Sequence, residues 1–214
     1  MHKKKAFFIT FEGIEGSGKS FHSKKLYKKL KKKGYKVILT REPGGTFNAE
    51  KIRNLILNDY FQKKTIKQFD KYTDTLLYLA ARNEHVINKI KPALKKKMII
   101  ICDRFTDSTL AYQIYGKDVN KKFVDVIHNN ILKNVKPNLT YVLKCKISKS
   151  MDRINKRKTK NRYDKFSMKF YSKVQNAFIK IASKDKKKYL VVDNSNNDNS
   201  SEQKIFNKFL KKFK

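Results

Sequence analysis

Five short apolar runs divide the chain at wide intervals, and each has the length of a β-strand. Runs of about four to eight residues that are apolar throughout, rather than alternating, are typical of strands covered on both faces of a sheet. The runs are AFFIT (6–10), KVILT (36–40), MIIIC (98–102), TYVLKC (140–145) and YLVVD (189–193). The pattern predicts five buried strands.

Amphipathic helical patterns lie between these strands, and one helix is expected to begin near Lys19. From Thr73 to about Lys96, one face carries Leu76, Ala80, Ile87, Ile90 and Leu94. From Lys165 to about Ser183, one face carries Phe166, Phe170, Val174, Ala177, Phe178 and Ile181. A last helix is marked by Ile205, Phe206, Phe209, Leu210 and Phe213. Strands that alternate with helices indicate an α/β fold, with a parallel sheet flanked by helices.

Two polar segments interrupt this pattern. DNSNNDNSS (193–201) is interpreted as a solvated surface loop. NKRKTKNR (155–162) has no apolar member and cannot contribute to a core, so it is either an exposed turn or a mobile lid, and its arginines favour the lid. The length of 214 residues fits one domain, 1–214, with a lid over about 150–164.

The charge of the chain is extreme, with 53 basic and 18 acidic residues and a formal net charge of +35. Such basicity raises the hypothesis of a nucleic-acid partner. Lysine is dispersed through every segment, however, and tryptophan is absent while glycine and proline are few, as A+T-rich coding alone would give. This favours a compositional origin over a specific nucleic-acid partner.

Against this lysine background, the seven arginines are informative. A planar guanidinium can hold a phosphate or a base edge with two parallel bonds, which an ammonium group cannot do. Each arginine is therefore a candidate anion or base contact, or else part of a structural ion pair. They are Arg41, Arg53, Arg82, Arg104, Arg153, Arg157 and Arg162.

Cellular location is constrained by what the sequence lacks. No run approaches the roughly 18 apolar residues of a membrane span, and the start, MHKKKAFFITFEG, has no cleavable apolar region. Cys102 and Cys145 each lie in an apolar run without a CxxC or histidine cluster, so two buried, reduced thiols are expected. We expect a cytoplasmic protein with no membrane partner.

The segment GIEGSGKS, Gly13 to Ser20, matches the phosphate-loop pattern G-x-x-x-x-G-K-[ST] between a predicted strand and a predicted helix. Glycines let successive N–H groups point at phosphate oxygens, and the following helix adds its positive end. Lys19 is expected to reach the β and γ phosphates and Ser20 to coordinate Mg²⁺. The expected ATP contacts are Gly13, Ile14, Glu15, Gly16, Ser17, Gly18, Lys19 and Ser20.

A phosphate loop alone does not name the reaction, because GTPases, motors and small-molecule kinases share it. The sequence has no NKxD-type element for guanine. Two further segments, REPGGT (41–46) and DRFTDSTLAYQ (103–113), follow predicted strands, where ligands bind in open parallel sheets. A second substrate site is expected there.

Together with FEGIEGSGKS and LLYLAAR (76–82), these segments closely resemble bacterial thymidylate kinase, from Ala6 to about Asp193. The resemblance implies a three-layer P-loop nucleoside monophosphate kinase fold. It also implies Mg²⁺-dependent transfer of the γ-phosphoryl group of ATP to dTMP, in dTTP synthesis, by a homodimer.

The resemblance assigns roles to individual residues. Glu15 would hold the deoxyribose 3′-hydroxyl, Arg53 and Arg104 the acceptor phosphate, and Asp103 would help place Mg²⁺. Tyr78, where phenylalanine is usual, would stack on thymine, while Arg82 and Gln113 bond its edge. Tyr112 would crowd the 2′ position. Ser108 and Thr109 would line the same pocket.

The family has two types, which place the catalytic arginine either in the phosphate loop or in the lid. Gly16 occupies the loop position here, so the resemblance implies that Arg157 supplies it, with Arg153 and Arg162 nearby for adenine or phosphate. Departures from the family include Lys158 for glycine, Asn161 for aspartate, Asp164 for glutamate, Ile114 and Asp118 for glycines, and Lys117 for arginine.

Three other functions remain open at this stage. One is a related kinase whose acceptor is dUMP or another pyrimidine nucleotide. Another is a P-loop ATPase that binds nucleic acid, which the dispersed lysines disfavour. The third is a binding module, which would leave the metal-placing acid and the lid arginines without a purpose.

Overall fold

The computed structural model describes residues 5–58, 69–158, 162–196 and 200–213. Its sheet consists of β1 (Phe7–Glu12), β2 (Val37–Arg41), β3 (Ile99–Asp103), β4 (Leu139–Lys144) and β5 (Tyr189–Asp193). All pairings are parallel, in the order β2-β3-β1-β4-β5. The five predicted strands are confirmed, with bounds that differ by two residues or fewer.

Helices cover the two faces of this sheet. They are α1 (Lys19–Lys32), α2 (Phe47–Asn58), α3 (Lys71–His85), α4 (Lys91–Lys95), α5 (Thr106–Thr109), α6 (Lys121–Leu132), α7 (Ile147–Asn155), α8 (Met168–Ser183) and α9 (Ser200–Phe213). A π-helical turn, Val86–Ile90, joins α3 to α4, and another, Leu110–Gly116, continues α5. A 3₁₀ turn, Arg162–Lys165, precedes α8. The α/β class and the flanked parallel sheet are confirmed.

The core lies on both sides of β1. Phe7 packs with α1 and with Phe209 and Phe213 of α9, at ring centroid distances of 6.0 and 5.4 Å. The next residue, Phe8, points to the opposite face, where it packs on Phe105 at 5.0 Å. Alternate residues of one strand therefore enter two separate cores, which explains why the strand is apolar throughout.

The apolar face predicted for the helix from Thr73 is largely exposed. Leu76 and Ile87 are 47% and 49% exposed, although Ile90 is fully buried. The opposite side of α3 is buried and carries Asp74 and Arg82, at 1% and 3% exposure. The helix therefore turns charged side chains inward, because partners on other elements satisfy them there.

Parts of the two polar segments lie outside the described residues, namely 159–161 of the predicted lid and 197–199 of the predicted surface loop. The start of that loop is not solvated as predicted. Asn194 and Ser195 are 7% and 9% exposed, and Asn194 Nδ2 donates to the carbonyl oxygen of Ser17 at 2.8 Å. The first residues of this segment therefore support the phosphate loop (13–20). The assignment to a single domain stays a prediction.

Among the helices of the described residues, none is long and apolar enough to cross a membrane.

Candidate active site

The loop between β1 and α1 has the geometry of an anion site. Gly18, with a φ of 97°, is the last residue before α1, and no described side chain caps the helix. The first N–H groups of α1 are thus available to an anion. Lys19 is 6% exposed and its Nζ donates to the carbonyl oxygen of Ile14 at 2.7 Å. Burial, followed by the neighbouring Arg104 cation, lowers the pKa of Lys19 to about 8, and a bound phosphate would raise it again.

Position 16 of this loop has no room for a side chain. Gly16 has a φ of 70°, and a Cβ there would lie 2.5 Å from the carbonyl oxygen of Ser150 and 3.0 Å from its Oγ. A backbone carbonyl cannot move aside as the end of a flexible side chain can. The packing of α7 on the loop therefore excludes an arginine at position 16.

Helix α7 also holds the loop from outside through hydrogen bonds. Ser150 Oγ donates to the carbonyl oxygen of Glu15. The two Nη atoms of Arg153 donate to the carbonyl oxygens of Gly16 at 2.9 Å and Asn194 at 3.0 Å. These bonds engage the outward carbonyls and leave the loop N–H groups to face a ligand. Arg153 thus supports the loop, and its contact with ATP stays a prediction.

A cavity of about 210 Å³ opens beside the loop. Six residues predicted to contact phosphates or metal line it: Lys19, Ser20, Arg53, Asp103, Arg104 and Arg157. So do seven residues predicted for the nucleoside pocket: Glu15, Tyr78, Arg82, Ser108, Thr109, Tyr112 and Gln113. The other predicted residues, Gly13, Ile14, Gly16, Ser17, Gly18 and Arg153, are not part of the lining. Residues distant in sequence are therefore assembled around one space.

Ser20 and Asp103 meet at this cavity, where Ser20 Oγ hydrogen-bonds Asp103 Oδ2. The second carboxylate oxygen, Oδ1, is buried and has no hydrogen-bond partner among the described residues. Within those same residues, no cluster of three or more His, Cys, Asp or Glu could enclose a metal. A hydroxyl and a carboxylate with a spare oxygen fit Mg²⁺, which takes most of its ligands from water and phosphate.

Arg53 and Arg104 bring positive charge to the cavity. Arg53 Nη1 donates to the carbonyl oxygen of Pro43 at 2.6 Å, and the Glu42–Pro43 peptide is cis. Burial, followed by the Arg41 cation, lowers the pKa of Arg53, a cost that a bound anion would relieve. Arg104 has a φ of 72°, a left-handed conformation that arginine rarely adopts. Such strain clusters at functional sites.

Glu15 is held from two sides. Its Oε1 accepts a hydrogen bond from Arg104 Nη2 at 2.7 Å, and its Oε2 accepts one from the Tyr112 hydroxyl. Burial would raise the pKa of Glu15, but Arg104, Lys19 and the Tyr112 hydroxyl together outweigh it and lower that pKa. An ionised Glu15 accepts hydrogen bonds, which suits the predicted contact with a sugar hydroxyl.

Arg82 is the centre of a buried network. Its Nε donates to Glu42 Oε2 at 2.7 Å, and both side chains are 3% exposed. Its Nη1 donates to Thr109 Oγ1 at 2.7 Å and lies 2.8 Å from His128 Nε2, while Nη2 donates to the carbonyl oxygen of Phe105 at 2.9 Å. Burial, followed by the Arg82 cation, lowers the pKa of His128 to about 3, so the imidazole is neutral and accepts. Arg82 is fixed before any ligand arrives.

Gln113 supplies an unused donor to the same cavity. It is 2% exposed, and its Nε2 has no hydrogen-bond partner among the described residues. Burying an amide without a partner costs about 1–3 kcal/mol, so the group is suited to a ligand acceptor. Tyr78, which is 9% exposed, presents an aromatic ring to the same space.

The arginines of the lid, Arg157 and Arg162, lie in different environments. Arg157 lines the cavity, is 37% exposed, and pairs through Nη1 with Asp164 Oδ1 at 3.1 Å. Arg162 was predicted to lie near adenine or the phosphates, and this is wrong. Its side chain is 1% exposed, is ion-paired with Asp74 of α3, and is absent from the cavity lining. A buried carboxylate thus holds Arg162 away from the cavity.

Four cavity residues were not singled out from the sequence: Glu42, Pro43, Leu57 and Tyr163. Glu42 holds Arg82 and also pairs with His85 Nδ1 at 2.9 Å. Its position directly after Arg41, at the carboxyl end of β2, was a signal that could have identified it. Tyr163 carried no such signal, because its contacts come from elements distant in the chain.

Comparisons with known proteins identify the family of this chain. A family model described as thymidylate kinase matches residues 11–205. Thymidylate kinase of Aster yellows witches'-broom phytoplasma (strain AYWB) is 39% identical over 97% of this chain and 96% of its own length. That of Mycoplasma capricolum subsp. capricolum is 37% identical, covering 95% of this chain and 92% of its own. A crystal structure of thymidylate kinase from Ehrlichia chaffeensis has a TM-score of 0.74 and 33% identity, covering 95% of this chain and 97% of that one. The chain therefore belongs to the thymidylate kinase family and is a nucleoside monophosphate kinase.

Proposed function

We propose that the cavity binds dTMP opposite MgATP and that its residues perform the phosphorylation of dTMP to dTDP for which the family is named. The observation that carries this proposal is the shared lining. The phosphate-loop residue Lys19 and the nucleoside contacts Arg82 and Gln113 line one cavity, with Arg53 and Arg104 in the same wall. A donor phosphate and an acceptor nucleotide can therefore occupy the same space.

The proposed acceptor pose follows from the buried donors. The acceptor phosphate takes the charges of Arg53 and Arg104. The base stacks on Tyr78, and its edge meets the fixed guanidinium of Arg82 and the unpartnered amide of Gln113. This pairing of a rigid cation with a spare amide donor suits a pyrimidine with carbonyl oxygens.

The chemistry needs little proton transfer, because the acceptor phosphate is already anionic. Positioning and neutralisation of the transferring group then carry the rate. Lys19 and Arg104 neutralise charge from the body of the enzyme. Arg157, which pairs with a buried carboxylate and lines the cavity, supplies the lid cation.

Ser20 and Asp103 are the proposed holders of Mg²⁺. When bound, the ion would neutralise part of the phosphate charge. The spare Oδ1 of Asp103 supports this assignment, since a buried carboxylate oxygen without a donor needs a cation or a water molecule.

An acceptor assay tests the proposal. The purified enzyme would be given MgATP with dTMP, dUMP, dCMP or dGMP, and ADP formation would be measured. We expect dTMP to have the highest kcat/KM. A preference for dUMP or dCMP would support the rival pyrimidine nucleotide kinase, and ATP turnover that depends on DNA instead would support the nucleic-acid ATPase.

We also propose that the enzyme is a homodimer, supported by the exposed apolar side of α3. Leu76 and Ile87 are 47% and 49% exposed, and Val126 of the neighbouring α6 is 60% exposed. Sedimentation velocity should give twice the chain mass, and Leu76→Glu should shift it towards the monomer. A monomeric wild-type protein would reject the proposal.

The cytoplasm is the proposed compartment, with no specific nucleic-acid partner. Cys102 and Cys145 are buried, unpaired thiols, as reducing conditions favour.

A further inference from the structure

A cluster of buried polar side chains lies behind the proposed base platform. Arg162 Nη2 donates to Asp74 and lies 3.3 Å from the Tyr78 hydroxyl and 3.4 Å from the Tyr163 hydroxyl. The two tyrosine hydroxyls also hydrogen-bond each other. Asp74 is held in addition by Lys117 Nζ at 2.7 Å. The cluster ties α3 to the 3₁₀ turn, Arg162–Lys165, at the end of the lid.

Asp164, which follows Tyr163 in the chain, connects this cluster to the lid. Asp164, whose side chain is fully buried, pairs with Arg157 Nη1 at 3.1 Å. Tyr171 fixes the peptide bond between Tyr163 and Asp164 by donating its hydroxyl to the carbonyl oxygen of Tyr163. Adjacent residues of one short turn therefore hold the ring under the base at one end and the lid cation at the other.

The Tyr78 hydroxyl is not needed for stacking, because a phenylalanine ring offers the same face to a base. Its partner, Tyr163, lines the cavity and packs edge-on against Tyr112 at 5.5 Å. The two hydroxyls form a hydrogen bond that two phenylalanine rings could not form. It fixes the position of the turn relative to α3.

We propose that Tyr78 and Tyr163 are positioning residues, which couple the base platform to Arg157 through their hydroxyl pair and Asp164. The inference rests on the proposed function, because it takes Tyr78 as the base platform and Arg157 as the lid cation. Loss of either hydroxyl loosens the turn. Arg157 then reaches the transferring group less often, while the stacking face and the other dTMP contacts remain.

The test uses Tyr78→Phe, Tyr163→Phe and the double variant in the full-length enzyme, with kcat, KM for dTMP and Tm measured for each. Each single variant should lower kcat about fivefold, the factor expected for one lost hydrogen bond, and leave KM within about twofold. Because the hydroxyls act as one pair, the double variant should lose no more than either single variant. Tyr72→Phe, on the same helix and outside the cavity lining, is the matched control and should keep the wild-type kcat.

A second cycle separates positioning from a structural role. In the Arg157→Ala background, Tyr78→Phe should have no further effect on kcat, because the group it positions is gone. A lower Tm with unchanged kcat, a change in KM alone, multiplying losses in the double variant, or an undiminished effect without Arg157 would each overturn the coupling. A wild-type enzyme inactive with dTMP would reject the proposed function itself.

Discussion

Arg82, in the proposed base site, is 3% exposed and bonds Glu42, Thr109, His128 and a backbone carbonyl. Arg157, in the lid, is 37% exposed and pairs with Asp164. The first guanidinium is fixed by the fold on several sides, whereas more than a third of the second side chain is exposed to solvent. The guanidinium of Arg82 is thus in place before a ligand binds, whereas the position of Arg157 depends on its pairing with Asp164. Mutations in the proposed base site and in the lid should therefore change different properties of the enzyme.

The largest effect is expected at the lid. Arg157→Ala removes the cation proposed to act on the transferring group, so kcat should fall about 10³-fold. The KM for dTMP should change less than about threefold, because base and acceptor phosphate are held elsewhere. Steady-state kinetics checks this, with Lys158→Ala as the neighbouring control. An unchanged kcat would contradict the assignment of Arg157.

At the base site, the corresponding change should cost stability. Glu42→Gln leaves the buried Arg82 guanidinium without its counter-charge, and breaking a buried pair costs about 3 kcal/mol or more. Urea unfolding measures the loss. Asp125→Asn, which breaks the exposed pair with Lys121, is the control and should cost under about 1 kcal/mol. Equal losses would show that burial is not what makes the base site rigid.

The stability that the proposed base site gives to the fold should also depend on pH. The folded pKa of His128, about 3, lies below the usual value, so below about pH 6.5 only the unfolded chain gains this proton and stability falls. His128→Gln keeps an acceptor for Arg82 but does not titrate. Between pH 7 and 5, wild type should lose about 2 kcal/mol relative to this variant. Burial and Asp107 raise the pKa of Glu12 to about 7, with the opposite pH trend, but Glu12 is common to both proteins and cancels in the difference. A pH-independent difference would contradict the prediction.

The smallest effect tests the spare donor. Gln113→Leu should raise the KM for dTMP about fivefold through one lost hydrogen bond. The Tm should stay or rise, because the variant removes a buried amide that has no partner in the described structure. A fall in Tm with an unchanged KM would show that Gln113 serves the fold and not the base.

The sequence predicted best what depends on local pattern. Five apolar runs became five strands because a sheet covered on both faces requires such runs, and the phosphate loop was evident from its glycines and Lys19. The side of α3 that faces inward was not evident. Asp74, Arg82 and His85 are buried there only because Arg162, Glu42 and Thr40 come from other elements to meet them. A buried charge looks like a surface charge until its partner is located.

The same reasoning explains the outcome for the lid. Arg157 and Arg162 are five residues apart in a polar run, and nothing local distinguishes them. Asp164 holds one at the cavity, and Asp74 holds the other behind it. Which arginine lines the cavity is decided by the locations of two carboxylates, and only the tertiary structure shows where these lie.

The contact between Gly16 and Ser150 bears on how such enzymes can diverge. With 2.5 Å between a Cβ at position 16 and a backbone oxygen of α7, a descendant could not transfer its cation from the lid to the loop by one substitution. It would first have to shift α7, and with it the Ser150 and Arg153 bonds that hold the loop in shape. The intermediate would have a weakened loop and no gain in catalysis. The backbone of α7 therefore keeps position 16 closed to an arginine and leaves the lid as the place from which such a cation could come.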